Sequence, residues 1–180
     1  FRSMEHELQE IVAVVNNKGG VGKTTTVQSI AAGLVRKNHN LRVLVVDLDP
    51  QCNLSSLMGM KKEGLSTIYE AMCKQSGLPI YKCKNGVYAV PGSGQMENIE
   101  QHLPGGPSLR EQMKSYTVLL SCLQDNNCID MTGEGLKNIF DDFDYVIIDC
   151  PPALSKNTYN ALVAASKVLI PVQMEALSVK

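Results

Sequence analysis

The feature that most constrains the fold of this 180-residue chain is a glycine-rich stretch, NNKGGVGKTTT (Asn16–Thr26), which lies between two regular patterns. Before it, Glu10–Asn16 reads EIVAVVN, an apolar run typical of a strand buried on both faces. After it, apolar residues recur at helical spacing and predict a helix from Lys23 to about Lys37. A second apolar run, LRVLVVDLD (Leu41–Asp49), then predicts a second strand. This order predicts a right-handed β-α-β unit and therefore a parallel sheet.

The glycine stretch nearly matches the phosphate-binding pattern G-x-x-x-x-G-K-[ST], except that Asn17 occupies the position of the first glycine. Its three glycines allow backbone N–H groups to wrap around an anion in front of a helix N-terminus. Lys23 supplies a positive charge for the β- and γ-phosphates, and the Thr24 hydroxyl is a candidate Mg²⁺ ligand. The predicted nucleotide-contacting residues are Lys18, Gly19, Gly20, Val21, Gly22, Lys23, Thr24 and Thr25.

Lys18 is a second lysine, at a position for which the phosphate-binding pattern specifies nothing. A spare lysine in a solvated loop usually has no role. Among phosphate-binding glycines, however, it can instead reach a nucleotide held by a neighbouring subunit, as an arginine finger does in trans. The second interpretation predicts a nucleotide-dependent dimer, and the residues alone leave both interpretations open.

Three aspartates follow apolar strands. Asp47 and Asp49 end the second predicted strand, and Asp149 ends the run YVIID. Ligands bind at the carboxyl edge of open α/β sheets, so these side chains are candidates for Mg²⁺ binding and for orienting an attacking water. One of the first two alternatively caps the turn through Pro50. The prolines after Asp149 stiffen a segment that either moves with the γ-phosphate or is a plain loop.

The rest of the chain predicts shorter elements. Helices are predicted at Asn53–Met58, Ser66–Cys73, Gln95–Leu103 and Gly135–Phe140, and strands at Gly86–Pro91, Asp144–Asp149 and Lys167–Val172. A capping box, Ser108 with Glu111, predicts a helix whose apolar side carries Leu109, Met113, Tyr116, Leu120 and Leu123. Asp125–Gly133 is a predicted polar break, and a further helix is predicted between the last two strands.

These elements predict one α/β domain of the P-loop NTPase type over residues 1–180, with a mostly parallel sheet and helices on both faces. A covering helix is expected after a strand that ends at Val172, so the domain is expected to lack its C-terminal part. Residues 1–3, which precede Met4, are either native or a cloning remnant.

Composition excludes few functions. The formal net charge of −1 gives no indication of nucleic-acid binding by the chain as a whole. No apolar run approaches the roughly 18 residues of a membrane span, and the polar N-terminus has no secretory pattern. Six scattered cysteines without a C-x-x-C pair favour reduced thiols in a cytoplasmic protein over a zinc or cluster site.

Four motifs in this order resemble the ParA-type partition ATPases, the ParA/Soj branch of the MinD/ParA family. They are NKGGVGKTTT (Asn17–Thr26), VLVVDLDPQ (Val43–Gln51), YVIIDCPP (Tyr145–Pro152) and IPVQME (Ile170–Glu175). The resemblance covers nearly the whole chain at the level of motifs, and DLDPQ is typical of the partition branch. That family's variant phosphate loop carries a lysine at the position of Lys18 and does not require the first glycine.

The resemblance implies a role for each motif residue. Lys18 would contact phosphates of the opposite subunit in an ATP-bound dimer, while Lys23 and Thr24 would hold the phosphates and Mg²⁺. Asp49 would orient the hydrolytic water, and Asp47 and Asp149 would support the metal.

The resemblance also implies a cellular cycle. The protein would bind ATP, dimerise, bind DNA nonspecifically on the nucleoid and not at a membrane, and be triggered to hydrolyse ATP by a centromere-binding partner protein. The DNA-binding residues of the family usually lie beyond the position of Lys180. Two departures from the family pattern are Cys52, where a glycine is usual, and Gly92–Gly135, which matches no family pattern.

Three alternatives are compatible with parts of the sequence. A MinD-like membrane-cycling ATPase shares the fold, although DLDPQ argues against it. A metal-cluster carrier related to the nitrogenase iron protein needs a second cysteine ligand besides Cys150, and none is present in GSGQM. The third alternative is a nucleotide-binding scaffold whose truncation removed activity. Asp49 indicates a weak, Mg²⁺-dependent ATPase activity in the full-length protein, and it leaves open whether this fragment is active.

Overall fold

The computed structural model describes residues 10–60, 63–125 and 127–173. The strands are β1 (Glu10–Val14), β2 (Val43–Asp47), β3 (Pro79–Lys82), β4 (Tyr88–Val90), β5 (Ile129–Asp130), β6 (Tyr145–Asp149) and β7 (Lys167–Leu169). The α-helices are α1 (Lys23–Lys37), α2 (Asn53–Leu57), α3 (Ile68–Lys74), α4 (Leu109–Lys114), α5 (Val118–Gln124), α6 (Ile139–Asp142) and α7 (Lys156–Ala164), and a 3₁₀ helix spans Gly94–Gln101.

Within the described residues, seven strands form one sheet in the order β5-β3-β4-β2-β6-β1-β7. The central pairs are parallel, β3 runs antiparallel to β4, and β5 runs parallel to β3. Strand β6 lies between β1 and β2, and its last residue, Asp149, is in register with both Val14 and Asp47. The carboxyl ends of these three strands therefore meet at one edge, which brings together the glycine stretch and the aspartates.

Helices cover both faces of the sheet, and as a result all five residues of β2 are buried. Val43 and Val45 belong to an apolar cluster that includes Val27 of α1. Leu44 and Val46 belong to a second cluster, built with residues of α3, α5 and α7. The predicted fold class, a mostly parallel α/β sheet with helices on both faces, is confirmed.

Helix α1 has the bounds that the apolar spacing predicts. Asn38, in extended conformation, ends it, and Arg36 and Lys37 lie in the last turn, where cations are favoured by the helix dipole. Its buried residues include Val27, Ala31 and Val35, which recur at a spacing of four residues. Helical periodicity was sufficient here because one face of the helix packs directly on the sheet.

The prediction of a polar break over Asp125–Gly133 is wrong, because this segment contains β5. Strand β3 was also not predicted. It begins with Pro79 and pairs antiparallel with β4, so its alternation is short and starts at a residue that cannot donate to a ladder.

The single helix predicted after the capping box is also wrong. The box itself is present, since the Ser108 hydroxyl accepts from the Glu111 N–H and the Glu111 carboxylate accepts from Ser108. The helix, however, breaks between α4 and α5, and Leu109 and Met113 are 76% and 59% exposed. The Asn160 amide of α7 holds the break, because it donates to the Ser115 carbonyl (2.9 Å) and accepts from the Leu119 N–H (3.1 Å).

Other predicted bounds need smaller corrections. The helix predicted at Gly135–Phe140 begins only after Asn138, because Gly135 has a φ of 77° and the Asn138 side chain caps α6. The helix predicted at Gln95–Leu103 is a 3₁₀ helix interrupted at Asn98. Across the described ranges, no helix has the length and apolarity needed to cross a membrane.

Candidate nucleotide-binding site

The glycine stretch forms the connection from β1 to α1. Gly22 is the N-cap of α1 with a φ of 83°, and Gly20 has a φ of 75°, which is the left-handed region that glycine adopts most readily. A Cβ built on Gly19, Gly20 or Gly22 meets no atom within 4 Å, so this side of the loop faces open space. No side chain caps α1, so its first N–H groups are available to an anion.

The two lysines of the loop occupy different environments. Lys23 is buried, and its ammonium donates to the Lys18 carbonyl at 3.3 Å, so the side chain spans the base of the loop. Lys18 is exposed, and its backbone N–H donates to Oδ1 of Asn16 at 2.8 Å. Asn16 in turn donates to the Pro171 carbonyl at 2.6 Å, which ties the loop to the segment after β7. Thr25 is exposed on the first turn of α1.

Thr24 and Asp149 connect the loop to the end of β6. The Thr24 hydroxyl donates to Oδ2 of Asp149 at 2.7 Å. Asp149 is 0% exposed, and its Oδ1 has no hydrogen-bond partner among the described residues. Burial raises the pKa of Asp149 to about 7, with Asp47 and Asp49 raising it further while the Thr24 hydrogen bond and Lys23 lower it. The charged groups of the loop and of the strand ends therefore act together on the Asp149 carboxyl.

The Asp47 carboxylate faces α2. Its Oδ2 accepts from the Ser55 N–H at 2.9 Å and from the Ser55 hydroxyl at 2.6 Å, and its Oδ1 accepts from the Asp49 N–H at 3.2 Å. Burial raises the pKa of Asp47 to about 6, against the lowering effect of these hydrogen bonds. Because both oxygens already accept protein hydrogen bonds, Asp47 fixes the turn that follows β2.

Asp49 lies two residues beyond the end of β2 and is largely buried. Its Oδ1 accepts from the Gln51 N–H at 2.9 Å, and its carbonyl accepts from the Cys52 N–H at 2.9 Å. Cys52 has φ 53° and ψ 34°, the left-handed conformation that favours glycine. The sequence alternative that one aspartate caps the turn through Pro50 therefore describes Asp49, and the other oxygen of its carboxylate is the candidate acceptor for water.

A family model described as an AAA domain, AAA_31, matches residues 9–180. The chain belongs to the AAA_31 family.

Relatives of this AAA_31 chain include proteins named ParA and Soj. It is 36% identical over 171 residues to the chromosome partitioning protein ParA of Myxococcus xanthus, covering 92% of the chain and 52% of that protein. It is 33% identical over 170 residues to the sporulation initiation inhibitor protein Soj of Bacillus subtilis, covering 92% of the chain and 59% of that protein. The predicted resemblance to ParA/Soj-type ATPases is confirmed, and the chain spans less than two thirds of the length of these curated relatives.

Solved structures place the AAA_31 chain in the same fold. Cobyrinic acid a,c-diamide synthase from Mycobacterium smegmatis, with bound ATP analog and magnesium, matches with a TM-score of 0.75 at 33% identity. The match covers 95% of this chain and 63% of that structure. The fold is thus shared with a protein crystallised with an ATP analog and magnesium.

The residues at the strand edge fit a magnesium nucleotide. No group of three or more His, Cys, Asp or Glu side chains within the described ranges is arranged to hold a metal by itself. Mg²⁺ usually takes only one or two carboxylates and completes its shell with waters and phosphates. At this edge, the Thr24 hydroxyl and the Oδ1 of buried Asp149, which has no partner among the described residues, are oxygen ligands of that kind.

Sequence reasoning missed Ser55 and Gly92. The Ser55 hydroxyl donates to Asp47 and accepts from the Gly92 N–H at 2.8 Å. A Cβ on Gly92 would lie 2.9 Å from Cγ of Asp47, so only glycine fits beside that carboxylate. No sequence pattern links these residues, because the chain separates them and only the pairing of β2 with β4 brings them together.

Proposed function

We propose that this chain is the nucleotide-binding part of an ATP-binding and ATP-hydrolysing switch of the ParA/Soj type. The single observation that carries the proposal is the 2.7 Å hydrogen bond from Thr24 to Asp149 beneath the open glycine loop. It joins the residue that follows the phosphate-loop lysine to the carboxylate at the end of β6, which are the two usual protein elements of an Mg²⁺–nucleotide site.

The loop residues hold the phosphates in this proposal. Backbone N–H groups of 19–25, with the N-terminus of α1 behind them, bind the phosphate oxygens. Lys23, already buried at the base of the loop, supplies the balancing positive charge. Thr24 and Asp149 would hold Mg²⁺, with Asp47 as support, and the metal would supply charge neutralisation at the β- and γ-phosphates.

Asp49 orients the water that attacks the γ-phosphate. The Gln51 N–H holds one oxygen of its carboxylate at 2.9 Å, so the side chain is fixed and the other oxygen can accept from water. Phosphoryl transfer needs little covalent assistance from the protein, so fixing the water and the phosphates accounts for most of the catalysis.

The switch dimerises when ATP is bound. Residues 17–20 of the loop are exposed, so a second copy has access to the nucleotide, and Lys18 lies on that exposed part. The AAA_31 chain resembles proteins named for chromosome partitioning, and we propose the same use here. An ATP-bound dimer in the cytoplasm binds nucleoid DNA nonspecifically, and a centromere-binding partner protein stimulates hydrolysis and releases it, so that a plasmid or chromosome is moved.

Calorimetric titration with ATP and Mg²⁺ tests the proposal. The wild-type chain is expected to bind, and Lys23→Ala is expected to abolish binding, because the buried cation at the base of the loop is lost. Lys37→Ala, at the other end of α1, is the matched control and should bind as the wild type does. Equal binding by Lys23→Ala and Lys37→Ala would contradict the assignment.

A further inference from the structure

The side chain of Asn157 connects three segments around the end of β2. Asn157 is the second residue of α7 and is only 3% exposed. Its Nδ2 donates to the Leu48 carbonyl at 3.3 Å and to the Met96 carbonyl at 3.1 Å. One amide group thus joins α7 to the segment after β2 and to the 3₁₀ helix.

Leu48 is the residue between the two aspartates of the site. Its N–H donates to the Asp149 carbonyl at 2.9 Å, and its own carbonyl is held by Asn157. The peptide group that follows Leu48 carries the N–H of Asp49, which donates to the Asp47 carboxylate. The orientation of this peptide group therefore sets the direction in which the Asp49 side chain leaves the backbone.

The orientation of the Asn157 amide follows from the chemistry of its partners. Two carbonyl oxygens can only accept, so Nδ2 must face them. Oδ1 is then buried with no hydrogen-bond partner among the described residues. An unpaired buried acceptor is unfavourable, and an apolar side chain of similar shape would avoid it. The amide therefore contributes through its two hydrogen bonds, which fix the positions of the Leu48 and Met96 carbonyls.

The segment after Leu48 has room to move if that hold is lost. A cavity of about 180 Å³ adjoins Asn157 and is lined by Pro50, which follows Asp49, and by Pro151, which follows β6 by two residues. The Asp49 turn is therefore not confined by tight packing on this side. The Leu48 side chain is anchored in the apolar core, while hydrogen bonds, including that from Asn157 to the Leu48 carbonyl, orient the backbone that follows it.

We propose that Asn157 is a positioning residue for ATP hydrolysis, which holds the Asp49 carboxylate in place through the Leu48 carbonyl. The inference rests on the proposed function, since it assigns Asn157 a role through Asp49. Asn157 acts on the water-orienting side chain and not on the phosphates, so its loss should affect turnover and leave nucleotide affinity unchanged.

The test compares Asn157→Leu with Asn160→Leu. Asn160 is a buried amide on the same helix, but it holds Ser115, Leu119 and Lys156, away from the aspartates. For each variant, we measure turnover, affinity for a non-hydrolysable ATP analogue and melting temperature. Hydrogen exchange is followed at the backbone amides of residues 48–52 other than Pro50, which has no N–H. Asn157→Gln, which retains the donor and has the adjoining cavity to accommodate its extra methylene, serves as the rescue variant.

Asn157→Leu is expected to lower turnover about tenfold, to leave analogue affinity within about twofold, and to accelerate exchange at the Gln51 and Cys52 amides. Asn157→Gln should recover most of the turnover. Asn160→Leu should lower the melting temperature and leave both turnover per folded molecule and the exchange of residues 48–52 unchanged. Should Asn157→Leu fail to fold, Asn157→Ala, which removes the same donor, is measured in its place.

The inference is overturned if the Asn157 variants turn over ATP at the wild-type rate, or if Asn160→Leu lowers turnover equally. An unchanged exchange rate at Gln51 would also overturn it. If the wild-type chain binds ATP but does not hydrolyse it, the proposed function fails, and the exchange measurement still decides whether Asn157 holds the Asp49 turn.

Discussion

The Thr24 hydroxyl donates to Oδ2 of Asp149 at 2.7 Å, and the other oxygen of that buried carboxylate has no partner among the described residues. Two motifs separated by 125 positions thus meet in one hydrogen bond. Thr24→Val, which keeps the shape of the side chain, removes a proposed Mg²⁺ ligand and the group that orients Asp149. It is expected to weaken Mg²⁺–ATP binding at least about tenfold, because loss of a group that orients a metal ligand costs roughly 10- to 100-fold in metal affinity. Thr25→Val, on the exposed neighbour, is the control in the same calorimetric titration. Equal affinities of the two variants would remove Thr24 from the site.

The raised pKa of Asp149 predicts a pH-dependent stability of the metal-free chain. Its pKa of about 7 lies above the ordinary 3.8, so between these values the folded state holds a proton that the unfolded state releases. The contribution of Asp149 is therefore most favourable to folding below pH 4, and it is lost as the pH rises through 7. The difference between the two pKa values corresponds to roughly 4 kcal/mol of unfolding free energy at most.

Urea unfolding with a chelator at pH 5 and pH 8 measures this effect. Asp149→Asn should be more stable than the wild type at pH 8, and the difference should shrink at pH 5. Asp125→Asn, at an exposed carboxylate, should follow the wild type at both values. A constant difference between Asp149→Asn and the wild type from pH 5 to pH 8 would show that this carboxyl does not titrate in that range.

The proposed role of Asp49 predicts that its loss slows ATP hydrolysis and leaves ATP binding nearly unchanged. Asp49→Ala should bind ATP with nearly wild-type affinity and hydrolyse it about 100-fold more slowly, in line with the usual loss when a group that handles the attacking water is removed. Asp49→Asn keeps an acceptor for the Gln51 N–H and should lose the same activity with less loss of stability. Phosphate release and calorimetry on both variants measure the two quantities. Wild-type turnover by Asp49→Asn would assign Asp49 to the turn alone.

The sequence predicted the elements that depend on local periodicity. Helix α1 and strands β1, β2 and β6 were predicted because each buries a regular apolar pattern against the sheet. Strand β5 was not predicted, because it has only two residues and is defined by its pairing with β3. Just before these two strands the chain segments approach closely, since a Cβ on Gly77 would lie 1.7 Å from the Asn127 carbonyl oxygen. A contact that close depends on tertiary structure and leaves no local pattern.

In the candidate site, too, local motifs were predicted and tertiary contacts were not. The glycine loop and the three aspartates follow from motif spacing, because each motif directly follows its own strand. The partners of the aspartates do not. Ser55 comes from α2 and Asn157 from α7, and each reaches the end of β2 by a side-chain hydrogen bond that spacing does not specify.

The left-handed backbone conformation of Cys52 predicts that glycine at this position stabilises the protein. It holds φ 53° and ψ 34° at the N-cap of α2, where the left-handed conformation costs a residue with a Cβ about 1 to 2 kcal/mol and the greater unfolded-state entropy of glycine offsets about 0.5 to 1 kcal/mol. Cys52→Gly should therefore raise stability by about 0.5 to 1 kcal/mol and the melting temperature by roughly 1 to 4 °C. Gln75→Gly, at φ 51° and ψ 31° after α3, should give a similar gain away from the site. Cys52→Ala keeps the Cβ, and a gain from it in thermal unfolding would show that backbone strain is not the cause.

The proposed role of Lys18 predicts that ATP-dependent dimerisation requires its side chain. Its exposed position on the loop, with Lys23 already buried at the loop base, suits a contact with the nucleotide of a second copy. Lys18→Ala should bind ATP, because the intramolecular cation remains, and should stay monomeric in sedimentation at concentrations where the wild type with ATP dimerises. Lys37→Ala, exposed at the far end of α1, controls for the loss of one positive charge. A nucleotide-dependent dimer of Lys18→Ala with wild-type affinity, or a wild type that stays monomeric with ATP, would contradict the role in trans and leave Lys18 as a solvated loop residue.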